Sequence, residues 1–279
     1  MEGFENLGSS TNSADSKLAK LKRLLSGNKK TRIILIAVVV LLIVSIFTII
    51  LPAQKTYSSV KKTTAQAKAA IDALKKQNVA LAQAELKKTR EYLKETQKDL
   101  NSIAVLNFIP ILNNYYGDAK HLVNAGFHGL DAADTLVASI APYADVLGLK
   151  GQGSFVGGTA QQRIETAVKT MGKVTPRIDE IADKLTLVKE EIDNINPNDY
   201  PGFIAGGKIK NQVLQLRTLT DDGVAFINDA KPLIKILPEL LGEPKEKKYL
   251  VLFQNDKELR PTGGFLTAYS VFRLERGVI

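Results

Sequence analysis

The spacing of apolar positions divides the chain into three regimes. In the first, Ile33 opens and Leu51 closes an uncharged run, IILIAVVVLLIVSIFTIIL, whose only hydroxyls are Ser45 and Thr48. As a helix rising 1.5 Å per residue it reaches roughly 29 Å, the thickness of a bilayer hydrocarbon core. The run is longer than a signal-peptide core, and Leu51 stands near the exit where cleavage prefers a small residue, so it predicts an uncleaved signal-anchor.

In the second regime the apolar residues recur at helical spacing. Residues 56–103 are rich in Ala, Lys, Leu, Glu and Gln, good helix formers. They carry Val60, Ala67, Ile71, Leu74 and Leu81 on one stripe, continued by Leu86, Leu93 and Leu100 after a phase slip near Glu85. This predicts one long amphipathic helix ending at Asn107 and Pro110. A second helix is expected over 118–141, with Leu122, Gly126, Leu130, Ala133, Val137 and Ile140 on one face. A third, over 159–195, has Ile164, Met171, Ile178, Leu185 and Ile192 every seven residues, beside the row Val174, Ile181, Val188 and Ile195. Such a seam must pack against other helices, and Pro176 should kink it or start a new segment. A fourth, over 208–241, carries Ile209, Val213, Leu216, Ile227, Ile234, Leu237 and Leu241. Pro232 and Pro238 predict bends in it, and Gly242 with Pro244 predicts its end.

In the third regime, from Lys247, the period shortens. YLVLFQN at 249–255 is an apolar run of strand type, 256–264 is a turn-rich loop, and the segment from Phe265 is a second strand turned by Arg276-Gly277 toward a third. A sheet needs more strands than these. The expected fold is therefore mainly α: one transmembrane helix, an extracytoplasmic antiparallel bundle of about four long helices, then the first strands of an α/β domain cut short at Ile279. The corresponding division is a cytoplasmic tail at 1–32, the membrane helix at 33–53, the bundle at 54–246 and the start of the α/β domain at 247–279.

Charge orients this arrangement. Of the net +9 over 279 residues, much sits just before the apolar run, at Lys17, Lys20, Lys22, Arg23, Lys29, Lys30 and Arg32. The far flank (Lys55, Lys61, Lys62, Lys68) is sparser, so the N-terminus is expected in the cytoplasm and the bulk outside the cytoplasmic membrane, in a single pass. Residues 1–16 have the composition of a disordered tail, and KLAKLKRLL at 17–25 has the pattern of a short basic surface helix. No basic stripe interleaved with aromatics points to nucleic acid. The absence of cysteine excludes disulfides, thiolate metal sites and a cysteine nucleophile. The absence of tryptophan and an aromatic content of 6% suit long helices.

Few residues suggest chemistry. GLKGQGSFVGG at 148–158 lacks both the preceding strand and the Gly-Lys-Ser/Thr of a phosphate-binding loop, which leaves a connector. His121 and His128 are seven apart, about 10 Å along a helix, too far to share a metal unaided, although Asp131 stands where it could orient His128. Glu190-Glu191 and Asp221-Asp222 are adjacent pairs pointing to different faces. No metal site and no cofactor is expected. The loop ELRPTGGF is the one anion-site candidate. In it Arg260 can bind a phosphate or carboxylate in two-pronged fashion, Thr262 adds a hydroxyl, and Gly263 and Gly264 allow close backbone approach. The alternative is a tight strand connection in which Arg260 pairs with Glu258 or Asp256.

YLVLFQN, then ELRPTGGF, then a strand and a glycine turn, resembles the opening motif of the bacterial domain-of-unknown-function family 4012. The basic N-terminus, single membrane helix and helical region are similar to that family too. The resemblance implies a bacterial envelope protein linked to surface polysaccharide, with no settled activity. A looser analogy is to the LytR-CpsA-Psr phosphotransferases, which act on lipid-linked glycan; their motifs are not present. The expected role is thus an anchored stalk or interaction module. Its expected partners are the bilayer through residues 33–51, an envelope glycopolymer or protein, and a second copy through the helical seam. A phosphotransferase-like enzyme and a periplasmic sensor bundle are the alternatives.

Overall fold

The computed structural model describes residues 29–110, 112–145, 147–151, 159–202, 207–258, 260–261 and 263–279. Among them the protein is mainly helical, with one apolar helix near the N-terminus and a two-stranded antiparallel sheet at the C-terminal end. The expected basic surface helix at 17–25 and the 152–158 part of the glycine-rich connector lie outside the described residues. Contacts divide the chain into two units, Met1–Gln54 and Lys55–Ile279.

The apolar run forms α1 (Lys29–Ser45) and a π-helical turn (Ile46–Ile50), followed by α2 (Leu51–Lys75). The helical run Arg32–Lys75 holds a stretch long and apolar enough to cross a membrane, and none of that stretch is buried within the protein. The Thr48 hydroxyl donates to the Val44 carbonyl at 2.8 Å, so this polar group is satisfied inside its own helix.

The single long helix expected over 56–103 is two. After α2 the chain turns at Lys76–Asn78 into α3 (Val79–Asn101). The turn is a Schellman end: the Asn78 N–H donates to the Ala73 carbonyl and the Gln77 N–H to that of Leu74, with Gln77 in the left-handed region at φ 55. Asn78 then caps α3, its side-chain oxygen accepting from the Leu81 N–H at 2.9 Å. The two helices lie antiparallel, joined by Lys55 to Asp99, by a hydrogen bond from Ser59 to Asp99, and by Thr63 to Thr96. The expected α2 stripe is therefore not the buried one. Ser59, Ala70 and Ala73 are buried, whereas Val60, Ile71, Leu74 and Leu81 remain exposed.

Helix α4 (Leu112–Ile140) packs on α3 through matching rows seven residues apart. Val79, Leu86, Leu93 and Leu100 meet Tyr116, Val123, Leu130 and Val137 in the larger core cluster. On α4 Leu130 and Val137 are buried and Ala133 and Ile140 pack beside them as expected, but Leu122 is exposed and Val123 is buried instead. Gly126 permits the approach, because a Cβ there would sit 3.1 Å from Leu93 Cδ2. Arg90 of α3 reaches both Asp131 and Asp134 of α4, at 2.6 and 2.7 Å.

Pro176 divides the third amphipathic stretch into α5 (Ala160–Val174) and α6 (Ile178–Asp193). Thr159 and Gln162 form a reciprocal capping box at the start of α5. Ile178, Ile181, Ile192 and Ile195 are buried as their spacing predicts, but in α5 Ile164 and Met171 are exposed and Val168 is buried instead. Helix α6 runs antiparallel to α4, with Lys184 against Thr135 and Glu191 against His121. Helix α7 (Lys208–Leu240) runs antiparallel to α6. Asp179 is gripped by Lys231 and Lys235, both at 2.6 Å, while Arg217 donates to the Asp193 and Ile195 carbonyls at the α6 end.

Strands β1 (Lys247–Asn255) and β2 (Phe265–Leu274) form the hairpin, in register from Lys247↔Leu274 to Asn255↔Phe265 with a bulge at Phe253/Gln254. Its base is fastened to α7. The Gly277 and Arg276 N–H groups donate to the Leu241 and Gly242 carbonyls, at 2.7 and 3.2 Å, groups a helix end would otherwise leave without partners. A Cβ on Gly277 would lie 2.7 Å from Ile164, so the same turn also seats on α5.

Candidate functional site

The 256–264 loop is a built turn. Asn255 organises it, its backbone carbonyl accepting from the Glu258 N–H and its side chain from the Lys257 N–H. Arg260 is held with its guanidinium 5.2 Å from the centre of the Phe265 ring. Among the described residues it makes no ion pair with Asp256 or Glu258. Gly263, at φ 92, donates its N–H to the Arg260 carbonyl at 2.9 Å, so that amide is engaged in the turn. Gly264 is required sterically, since a Cβ would stand 2.6 Å from the Asn255 carbonyl oxygen. Thr262 lies outside the described residues. Arg260, Gly263 and Gly264 are brought together, but the engaged Gly263 amide narrows what they offer an anion to the arginine charge.

A second polar cluster, which spacing alone did not reveal, lies where the start of α4 meets the end of α6 and the turn after it. Tyr200 donates to Asp118 at 2.7 Å and its ring stands 5.3 Å from that of Tyr115, whose hydroxyl donates to the Asp199 carbonyl. Asn114 and Asn196 donate to the two Asp199 carboxylate oxygens. His121 and Asn124 share Glu191, at 2.6 and 3.2 Å. Burial pushes the Asp118 carboxyl above the ordinary aspartate range, although the Tyr200 hydrogen bond opposes this; burial and Asp118 together push the Tyr200 phenol up. The signal for the cluster was the row Asn114, Asp118, His121 and Asn124 at steps of three and four along one helix. Perturbed groups of this kind mark active sites in many enzymes. Here they fasten three segments together.

Asp131 does not orient His128; it is taken by Arg90. Among the described residues no group of three or more His, Cys, Asp or Glu side chains is placed to hold a metal ion. Of the two acidic pairs, Glu191 serves His121 and Asp221 pairs with Lys189.

The segment with the recognisable motif is the hairpin fastened to the end of α7. Residues 245–279 match the family of unknown function DUF4012. The match bears out the resemblance carried by YLVLFQN and ELRPTGGF and covers the hairpin, the 256–264 loop and the Arg276-Gly277 turn. No curated protein matches the chain, and no solved structure does.

Proposed function

We propose that this protein is a single-pass, membrane-anchored component of the bacterial cell envelope. In this reading its N-terminus is cytoplasmic, and an antiparallel helical bundle serves as a stalk or interaction module that presents the DUF4012 segment outside the membrane, where surface polysaccharide is assembled. The observation that supports it is the apolar stretch within Arg32–Lys75, none of it buried in the protein, followed by amphipathic helices that pack on one another. Helices cross a bilayer because every backbone polar group is satisfied within them, and the inward back-bond of Thr48 extends this to a side chain.

The cysteine-free sequence makes the test direct. Single-cysteine variants Ser10→Cys and Thr218→Cys are treated in intact bacterial cells with a membrane-impermeant maleimide. The expected result is retention in the membrane pellet at alkaline pH, labelling at position 218 in intact cells, and labelling at position 10 only after permeabilisation. Extraction into the supernatant, or the reverse labelling pattern, rejects the anchor or its orientation. An anion contact centred on the Arg260 guanidinium, in the loop that also carries Thr262, Gly263 and Gly264, belongs to this proposal as a polar contact for a phosphorylated or carboxylated glycan. Chemical shifts of the loop amides during a pyrophosphate titration should move in the parent and not in Arg260→Ala; equal shifts in both reject it.

A further inference from the structure

Helix α7 carries two apolar rows, and only one is used among the described residues. Val213 is buried, and Ile227 and Ile234 are partly buried on the side that faces the other helices. The second row, Leu219, Phe226, Leu233 and Leu240, recurs every seven residues and is 67%, 71%, 58% and 39% exposed. Beside it runs Leu216, Gly223, Ala230 and Leu237, so that the two rows alternate at steps of three and four, the spacing of a coiled-coil seam.

Gly223 bears on what covers this strip. It sits in the interior of a long helix, where glycine costs about 1 kcal/mol relative to alanine. Nothing lies within 4 Å of a Cβ built on it, so none of the described residues makes use of its small size. A helix approaching from outside would. Phe226 stands between Gly223, three residues before it, and Ala230, four after, so the strip carries both a large knob and the shallow positions that receive one. A surface complementary to itself in this way suits a two-fold contact between identical chains.

We infer that the Leu219, Phe226, Leu233 and Leu240 row of α7 is a self-association surface that pairs with the same row of a second copy. From Leu216 to Leu240 the strip runs about 36 Å, and at a helix width of about 10–12 Å it offers roughly 400 Å² per copy. That is about half of the ~800 Å² per partner of a standard stable interface. The contact is therefore weak and reversible between free chains. It gains strength where copies share one membrane and meet at high effective concentration, a condition that rests on the anchoring proposed above.

The test uses the full chain in lipid vesicles at graded protein-to-lipid ratios, with one cysteine per variant. Phe226→Cys and Leu233→Cys should give an oxidised dimer at least five times the yield of Asn228→Cys, which is exposed on another face of the helix. Adding Gly223→Leu to Leu233→Cys should lower the yield at least fivefold without lowering the thermal midpoint, because leucine is the better helix former and a Cβ there meets nothing among the described residues of its own chain. Equal yields at 226 and 228, or no effect of Gly223→Leu, overturn the pairing. A Phe226→Cys thiol that resists both cross-linking and maleimide in the purified protein overturns it too, and shows that the same chain covers the row. Flotation of the vesicles reports the anchor separately. Chain that floats without row-specific cross-links refutes the pairing alone. Chain that fails to float refutes the anchor, and oxidation of the concentrated chain in detergent then decides the pairing.

Discussion

The ends of α2 and α7 share one hydrogen-bonding device and differ in what sustains it. At the α7 end the Gly242 N–H donates to the Glu239 carbonyl and the Glu243 N–H to that of Pro238, with glycine in the left-handed position at φ 79. At the α2 end the same position is held by Gln77 at φ 55, where a Cβ costs about 1–2 kcal/mol. The glutamine conformation is secured from outside. Its carbonyl accepts from the Gly151 N–H at 3.1 Å, and the next residue but one, Val79, donates to the Leu149 carbonyl at 2.8 Å. The glycine end is instead a landing place, its backbone so close to β2 that a Cβ would overlap the Leu274 carbonyl oxygen. A helix can thus be stopped by its own residue or by a segment that reaches it from some seventy positions away.

Substitutions at the two ends should therefore have effects of different size and sign. Gly242→Ala adds left-handed strain and lifts the hairpin base from the helix end. The expected loss is about 3 kcal/mol, summing strain and two hydrogen bonds, with rapid hydrogen exchange at Arg276 and Gly277. Full protection of those amides would contradict the docking. At the other end, Asn78→Ala removes the α3 cap and should lower stability by about 1 kcal/mol in urea unfolding. Gln77→Gly should raise it by roughly 0.5–1 kcal/mol, because relief of strain exceeds the added unfolded-chain entropy; a loss would mean that the glutamine side chain contributes a contact of its own.

The smallest effects come from two aspartates, both desolvated, whose carboxyls are shifted in opposite net directions. Asp99 is desolvated, but hydrogen bonds from Ser59 and Lys55 outweigh this and hold its carboxyl below the usual range. Its contribution is present above pH ~4 and is lost as pH falls through the lowered value. Asp118, raised chiefly by burial, binds its proton more tightly in the folded state, so stability falls as pH rises through and above ~4. Asp99→Asn should flatten the fall in melting temperature below pH ~4, and Asp118→Asn should remove the decline above it. Identical profiles for both variants would contradict these assignments.

Elements marked by special residues were legible in the sequence. Pro176 announced the break after α5, Gly242 the end of α7, and the change of period at Lys247 the hairpin. The turn at Gln77 was not, because neither glycine nor proline marks it and its support comes from residues 149–151. The α2 face was misjudged because the rule that apolar residues lie inside fails at an interface built from Ser59, Thr63, Thr96 and Asp99. The loop boundaries at 256–264 were correct, whereas the use of the Gly263 amide depends on backbone geometry that no residue type specifies. The Asp118 and Tyr200 cluster joins residues 82 apart in sequence, which local spacing does not reach.

Fastening the hairpin at its base also has a mechanical consequence. Strand β1 leaves α7 through residues 241–246, and the chain returns to the same helix end through Arg276 and Gly277, so the hairpin is a loop closed where it begins. A pull on its tip is shared between two attachments on one helix end instead of peeling one strand from the other. The last turn of α7 and the base of the hairpin must therefore yield together, and tension arriving at the tip is delivered to α7.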